Sequence, residues 1–312
     1  MLVLAFNRPV LVRELLQSLP TENVSCLFIS IDGPRNDHDK LKADEIVGIA
    51  RDFSKFVPVL VRRSSVNLGC RLGVISGLDW FYNESIDGGL VLEDDCFPKQ
   101  EFFEFLNLNI PLINTREVAM ISAHNPLMEI QIDKYKSRFI FINGWFMASS
   151  TWQTIRNSIF AIRPPSRFTE SGHRRSRSEA MFWWATYARA RIGLHDTWDS
   201  LFYRAFSENG FECLVPKKNM VENRGFGEGA THTTDPDGTI FFDDVFNVRK
   251  SLNSSEELDN LISRQYFKIR KRHMISPIFR VLVDFLKVRK FPDYNKELKL
   301  AEAKFLRFGK DH

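Results

Sequence analysis

The residues best suited to chemistry are Glu93, Asp94 and Asp95, three consecutive carboxylates that end the apolar run Leu90-Val91-Leu92. A short apolar run that stops in acids reads as a buried strand delivering charge to the edge of a sheet. Adjacent like charges repel, so a fold that concentrates them needs positive charge nearby. Hard cations such as Mg²⁺ and Mn²⁺ take carboxylate and phosphate oxygens alike. The cluster therefore suggests a metal that holds a diphosphate, and its bland alternative is a solvated acidic turn. Asn7-Arg8 and Asp32 stand in comparable places. Asn7-Arg8 follows the apolar run Leu2 to Phe6, and Asp32 closes the run Cys26 to Ile31 at the turn signal Asp32-Gly33-Pro34.

The elements that must position these residues alternate. Strands are expected at Leu2–Phe6, Cys26–Ile31, Val57–Arg62, Leu90–Leu92 and Val118–Ser122. Helices fall between them, from Pro9 to about Leu19, over 38–53, over Leu72–Tyr82 and over Phe102–Leu108. Leu72, Ile75, Leu78 and Phe81 recur at helical spacing. This β-α-β-α order predicts an α/β fold, a mostly parallel sheet with helices on both faces. Ligands of such sheets bind beyond the carboxyl ends of the strands. Arg8, Asp32 and the acidic triplet all lie at such ends and should converge on one crevice. No glycine-rich dinucleotide fingerprint and no P-loop is present.

The second half is less regular. Phe139–Ile142 and Trp145–Ala148 are apolar runs around Asn143-Gly144, and residues 163–180 form a basic insertion. Helices are expected over Ser178–Ile192 and Asp199–Glu208, then a strand over Phe211–Val215. Residues 256–290 read as helical with an interruption at Pro277, followed by a charged helix from Asp293. The chain thus divides into a body over 1–248, with halves 1–125 and 126–248, and a basic helical C-terminal extension over 249–312.

Composition bounds the function classes. Apolar residues make up 44% and charged residues 26% of the 312, ordinary for a globular protein with a full core. No stretch reaches the roughly 18 uncharged apolar residues of a membrane span. Cys26, Cys70, Cys96 and Cys213 are scattered without metal-ligand spacing and read as reduced thiols, which fits a cytoplasmic protein. The net charge of +4 is uneven, because residues 264–290 hold nine Lys and Arg against Asp284 alone, a local +8 that leaves −4 elsewhere. A nucleic-acid partner is not expected, since a binder of that kind spreads a basic face over its fold. The apolar positions from Ile278 to Leu286 make the basic segment amphipathic. It suits either an anionic membrane surface or packing against the body.

These motifs, in order, resemble those of GT-A glycosyltransferases, and are most similar to N-acetylglucosaminyltransferase I and to bacterial HlpA-like "hemolytic protein" sequences. The resemblance runs over residues 1–245. It is carried by Phe6-Asn7-Arg8-Pro9, Ser30-Ile31-Asp32-Gly33, Asn67-Leu68-Gly69-Cys70-Arg71 and Leu90-Val91-Leu92-Glu93-Asp94-Asp95. Further along it is carried by Ile121–Asn125, Asn143-Gly144-Trp145, Thr197-Trp198-Asp199, and the stretch Asn223–Gly227 with Ala230–Thr233. It implies a nucleotide-diphospho-sugar transferase fold and a nucleotide-sugar donor, a UDP-sugar first. It implies a glycan or lipid-linked glycan acceptor and a setting in bacterial surface polysaccharide assembly, at the cytoplasmic face of the membrane.

The resemblance also implies roles for single residues. Asp95 would ligate Mn²⁺ or Mg²⁺, with Glu93 and Asp94 facing metal-bound water and the ribose hydroxyls. Asp32 would accept the N3–H of a uracil or thymine ring, with Arg8 on the same base and Arg71 near the donor. Asp199 would take the acceptor proton in an inverting transfer; the alternative for the same residue is a helix N-cap. Trp145 would offer a platform to a sugar, and His232 would touch the diphosphate from a closing loop. Two other classes remain compatible with the sequence. A sugar nucleotidyltransferase shares strand-end acids but uses a glycine-rich N-terminal loop that is missing here. A non-catalytic carbohydrate-binding or membrane-active protein would have no use for the run of acids.

Overall fold

The computed structural model describes residues 1–85, 87–115, 117–161, 177–225, 254–267, 281, 284, 292–302 and 305–308. Its frame begins as the alternation predicts. Strand β1 (Leu2–Ala5) leads to helix α1 (Pro9–Ser18), β2 (Leu27–Ile31), α2 (Asp37–Phe53), β3 (Val59–Ser64), α3 (Gly69–Glu84) and β4 (Gly88–Glu93). A short β5 (Cys96–Pro98), α4 (Gln100–Asn114), β6 (Met120–Ser122), β7 (Glu129–Ser137), β8 (Trp145–Ala148) and α5 (Ser149–Ser158) follow. Then come α6 (Arg177–Arg191), α7 (Asp199–Glu208), β9 (Cys213–Lys218) and β10 (Val221–Asn223). Near the end lie the helices Ser255–Leu261 and Tyr294–Glu302 and a last strand, β11 (Phe305–Phe308).

Side-chain alternation along the strands divides the core into two layers. Leu2 and Leu4 of β1, Phe28 of β2 and Val91 of β4 pack with Ile75, Leu78 and Phe81 of α3. Val3 and Ala5, Leu27, Ile29 and Ile31, and Leu90 and Leu92 face the opposite way, toward Val12, Leu15 and Leu16 of α1 and Ile46 of α2. Strands buried on both faces read as continuous apolar runs, as these do.

The nine-stranded sheet has the order β11-β3-β2-β1-β4-β8-β6-β9-β7. β3, β2, β1 and β4 pair in parallel. β8 runs against both β4 and β6, and β9 runs parallel to β6, so β6 and β9 share the direction of β4. The result is a mostly parallel mixed sheet with helices on both faces. From β1 the chain steps outward through β2 to β3, then returns to place β4 on the other flank of β1. The order therefore reverses between β1 and β4, the kind of switch point beside which open α/β sheets form a crevice. Register brings the ends level: Leu4 lies opposite Glu93 and Ala5 opposite Ile31. The Asp94 amide donates to Leu4 O at 3.0 Å and the Asp32 amide to Ala5 O at 3.0 Å.

The second half departs from the sequence reading. Of the two apolar runs, Trp145–Ala148 is a strand, while Phe139–Phe141 is buried and irregular with Ile142 half-buried. β7, unforeseen, is an edge strand whose pairing with β9 shifts between Glu129 and Lys134, and the irregularity interrupts its period-2 pattern. Its charged, exposed side chains suit an edge, where they discourage pairing with another chain. α5 was also unforeseen: of its polar sequence only Trp152 and Ile155, with Ser149 and Ser158, reach the interior.

Of the expected helical extension, the charged helix from Asp293 is present and the end differs. Its end is the strand β11, antiparallel to β3 at the sheet edge. Its helix Tyr294–Glu302 contributes Tyr294 and Leu298 to the main core. Helix Ser255–Leu261 is tied in by charge. Asp259 accepts from the Arg138 amide at 3.0 Å, while the Arg138 guanidinium also pairs with Glu179 of α6 at 3.1 Å. All three side chains are buried, so the pairs offset charges that would otherwise be costly inside the fold. The expected helix does not run unbroken from 256, because a single π turn, Ile262–Tyr266, follows Leu261. Most of the basic segment 264–290, and residues 163–176 of the basic insertion, lie outside the described residues. Among the described residues no helix is long and apolar enough to cross a membrane.

The packing of Leu298 has a measurable consequence. Leu298→Ala should cost about 2–4 kcal/mol in urea unfolding, the range for a fully buried leucine. A loss below about 0.5 kcal/mol, typical of surface sites, would mean that this helix is separable from the body.

Candidate functional site

A cleft of about 390 Å³ opens at the carboxyl ends of β1, β2 and β4, lined among others by Arg8, Asp32, Glu93, Asp94 and Asp95. The three motifs do converge. What the structure decides is how their charges are partnered.

Arg8 spans the acids. Its Nη1 donates to Asp95 Oδ2 at 2.9 Å and its Nη2 pairs with Asp94 Oδ1. Asp94 is buried, so it does not face a ribose as the resemblance implies; it anchors Arg8. Burial pushes the Asp94 carboxyl up to about 7, against the opposing pull of Arg8 and, more weakly, of the Phe6 amide. Glu93 is pushed up to about 8, first by burial and then by Asp95 and Asp94. The strand-end triplet is thus a set of acids whose charge the fold opposes, not a solvated turn.

Asp32 and Asp196 share a different task. Asp32 Oδ1 accepts from the amides of Gly33 at 2.8 Å and Leu68 at 2.9 Å; Oδ2 accepts from Asn67 Nδ2 at 3.0 Å and the Gly69 amide at 3.1 Å. A carboxylate has about four lone-pair positions, so these donors occupy those a base N3–H would need. Burial raises Asp32 to about 6 even though the backbone donors from Leu68, Gly33 and Gly69 oppose it. Asp196, in the loop before α7, accepts from the amides of Cys70 at 2.9 Å and Arg71 at 3.2 Å. The free amides at the start of α3 are therefore capped by two carboxylates from distant parts of the chain. Asp196 lines the cleft and was not singled out in the sequence; its signal there is an acid three residues before Asp199.

Arg71 turns away from the donor side. Its Nη1 donates to Ala190 O at 2.9 Å and His195 O at 2.6 Å, and its guanidinium lies 4.3 Å from the Tyr294 ring centre. It joins α3 to the end of α6, a structural role in place of the expected contact. Trp145 is fully buried and stacks on Trp198 with centroids 5.4 Å apart, so it offers no face to a sugar. His232 lies outside the described residues.

Asp199 is the first residue of α7, after Trp198 at the N-cap position. Its Oδ1 accepts from the Thr197 hydroxyl and the Ser200 amide, and the side chain is exposed. It does not line the cleft, but its charge is felt at Glu93 and Cys70 on the cleft wall. Arg35, also missed from sequence, lines the cleft with its guanidinium 4.7 Å from the Phe6 ring centre and 2.7 Å from Asp39.

The small pair β5–β10 closes one side. It brings the Arg224 amide to Asp95 O at 2.8 Å and Gly225 against the Asp95 carboxylate. A Cβ on Gly225 would lie 2.2 Å from Asp95 Oδ2, so only glycine allows this approach. Among the described residues no three His, Cys, Asp or Glu side chains already stand as a metal cage. The donor set is nonetheless all hard oxygen. Asp95 reaches the cleft, Glu93 lies beside it, and Asp94 Oδ2 is buried without a hydrogen bond of ordinary geometry. In type these residues fit Mg²⁺ or Mn²⁺ held by one carboxylate and completed by a diphosphate.

Compared with protein-family models and with curated proteins, the chain matches none.

Gly69 has φ +75°, and a Cβ there would stand 2.4 Å from Asp196 Oδ2. Gly69→Ala should therefore cost at least about 1–2 kcal/mol for the left-handed backbone, with a further loss from the displaced cap, read by urea unfolding. A neutral result would show that the two-carboxylate cap is not held in solution.

The acids give a pH dependence. Glu93 and Asp94 hold their protons more tightly in the folded chain, at about 8 and about 7, than at their ordinary values of 4.5 and 3.8. Their ionisation therefore lowers stability as pH rises through that interval. Glu93→Gln should flatten the decline of melting temperature between about pH 5 and pH 8; parallel curves for the two proteins would refute the raised Glu93 carboxyl.

Proposed function

We propose that this chain is a metal-dependent GT-A glycosyltransferase that moves a sugar from a nucleotide-diphosphate donor to a glycan or lipid-linked glycan. The observation that carries this reading is the acidic triplet at the carboxyl end of β4. It sits beside the switch point, in a cleft whose volume of about 390 Å³ falls within the usual range for small ligands. The short Phe6–Arg8 connection into α1 supports it over nucleotidyl transfer, for which a longer glycine-rich loop would wrap a triphosphate.

In this reading the donor lies along the cleft with its diphosphate near Asp95. A divalent cation held there would offset the charge that develops on the departing nucleotide. The acceptor oxygen bonds to the anomeric carbon as the bond from that carbon to the diphosphate breaks, with inversion. Asp199 takes the acceptor proton: it is exposed at the start of α7, and its hydrogen bonds from Thr197 and Ser200 both fall on Oδ1. Asp196 is a poorer base, since both its oxygens cap α3. Asp32 shapes the cleft through the Asn67–Gly69 turn. A uridine or thymidine donor, a role in bacterial surface polysaccharide assembly and peripheral attachment through 264–290 rest on the resemblance and on the charge of that segment.

Thermal stabilisation by UDP-, dTDP-, GDP- and CMP-sugars, each with and without Mn²⁺, tests the site. One donor should raise the melting temperature only when metal is present, and Asp95→Ala should abolish that shift. Flat curves for every donor on folded protein would refute the reading and favour a carbohydrate-binding protein. Asp199→Asn should retain the donor-dependent shift while losing transfer by roughly a hundredfold or more, the range for a missing general base. Full activity in that variant would leave Asp199 as a helix-start residue only.

A further inference from the structure

Arg8 holds its two acids unequally. Asp94 is buried, with its side chain 2% exposed, whereas the Asp95 side chain is 13% exposed and turned to the cleft. Among the described residues lining the cleft, Arg8 and Arg35 bring the positive charge, and Arg35 is already paired with Asp39 at 2.7 Å. A diphosphate entering this cleft would meet five acidic residues and find Arg8 engaged. A divalent cation arriving at Asp95 would meet the same guanidinium on Oδ2, 2.9 Å away.

Two cations at one carboxylate repel, so a divalent cation at Asp95 weakens the Arg8 contact there and favours its expulsion. Expulsion from Asp95 need not free Arg8 altogether. Asp94 Oδ2 is buried and lacks a hydrogen-bonding partner of ordinary geometry, next to the Oδ1 that Arg8 already holds. A guanidinium has five N–H donors in a planar fork and binds a carboxylate through two of them. Rotation about its contact with Asp94 would bring a second N–H to Asp94 Oδ2 and turn the remaining donors toward the cleft. We propose that Arg8 is an exchangeable counter-ion. It occupies Asp95 until a divalent cation takes that carboxylate, then pivots on Asp94 to hold the donor diphosphate. The proposal rests on the glycosyltransferase reading above, and it gives Arg8 the diphosphate as its ligand in place of the base.

The exchange predicts opposite shifts in two affinities, which loss of structure would not produce. Mn²⁺ binding without nucleotide is followed by electron paramagnetic resonance, and UDP binding at saturating Mn²⁺ by calorimetry, on the full chain. Arg8→Met should bind Mn²⁺ roughly tenfold more tightly than wild type, and UDP roughly tenfold more weakly. Arg8→Lys keeps the charge but reaches one carboxylate at a time. It should tighten Mn²⁺ binding by a smaller factor, and it carries the test if the methionine variant does not fold. If wild type binds both ligands while the folded variant binds Mn²⁺ no more tightly, the exchange is overturned and the donor site stands. If wild type binds neither, the donor site itself falls and the exchange with it.

Discussion

The ion pairs from Arg8 to Asp94 and Asp95 are the constraint around which the cleft is arranged. Three acids in sequence at the end of a buried strand call for nearby positive charge or retained protons, because an ionised buried carboxylate without a partner is among the costliest groups a fold can hold. Arg8 is available because β1 and β4 are neighbours in parallel register, with Leu4 opposite Glu93. The connection from β1 to α1 is so short that Arg8 cannot stray from the level of the acids. Strand pairing, charge compensation and cleft position are thus a single arrangement seen at three scales.

A second arrangement of the same kind ties the halves of the chain together. The start of α3 needs acceptors for its first amides. It takes them from Asp32, at the end of β2, and from Asp196, in the loop that leads into α7. Arg71 returns the connection by donating to the carbonyls of Ala190 and His195. The loop that carries Asp196 and leads into Asp199 is therefore fixed relative to β1, β2 and β4 by hydrogen bonds and not by apolar packing alone. This is a rigid way to hold the start of α7 at a fixed distance from the cleft. It also explains why Asp32, which looks like a ligand reader in sequence, caps a helix start instead.

The first-half strands were legible because burial on both faces leaves an unambiguous run of apolar residues, as in Leu2–Ala5 and Leu27–Ile31. Convergence of Arg8, Asp32 and Glu93–Asp95 was legible for the same reason, since parallel strands present their carboxyl ends to one edge. β7 was not, because an edge strand with a bulge carries charges that dilute its alternation. β11 was hidden by its basic flanks and by the helical pattern before it. Trp145 shows the limit for single residues. An indole beside a glycine suits a sugar platform or a core position equally well, and only the Trp198 ring stacked on it decides.

By itself, the sequence determined where the chemistry-bearing residues fall along the strands, because side-chain periodicity and turn signals are local properties. Only the tertiary structure decided which charge answers which. Arg8 and Asp95 are 87 residues apart, and Cys70 and Asp196 are 126 apart. Their meeting depends on strand order, on register and on how tightly α3, α6 and α7 pack. Those follow from the energy of the whole core, and no local pattern of residues encodes them.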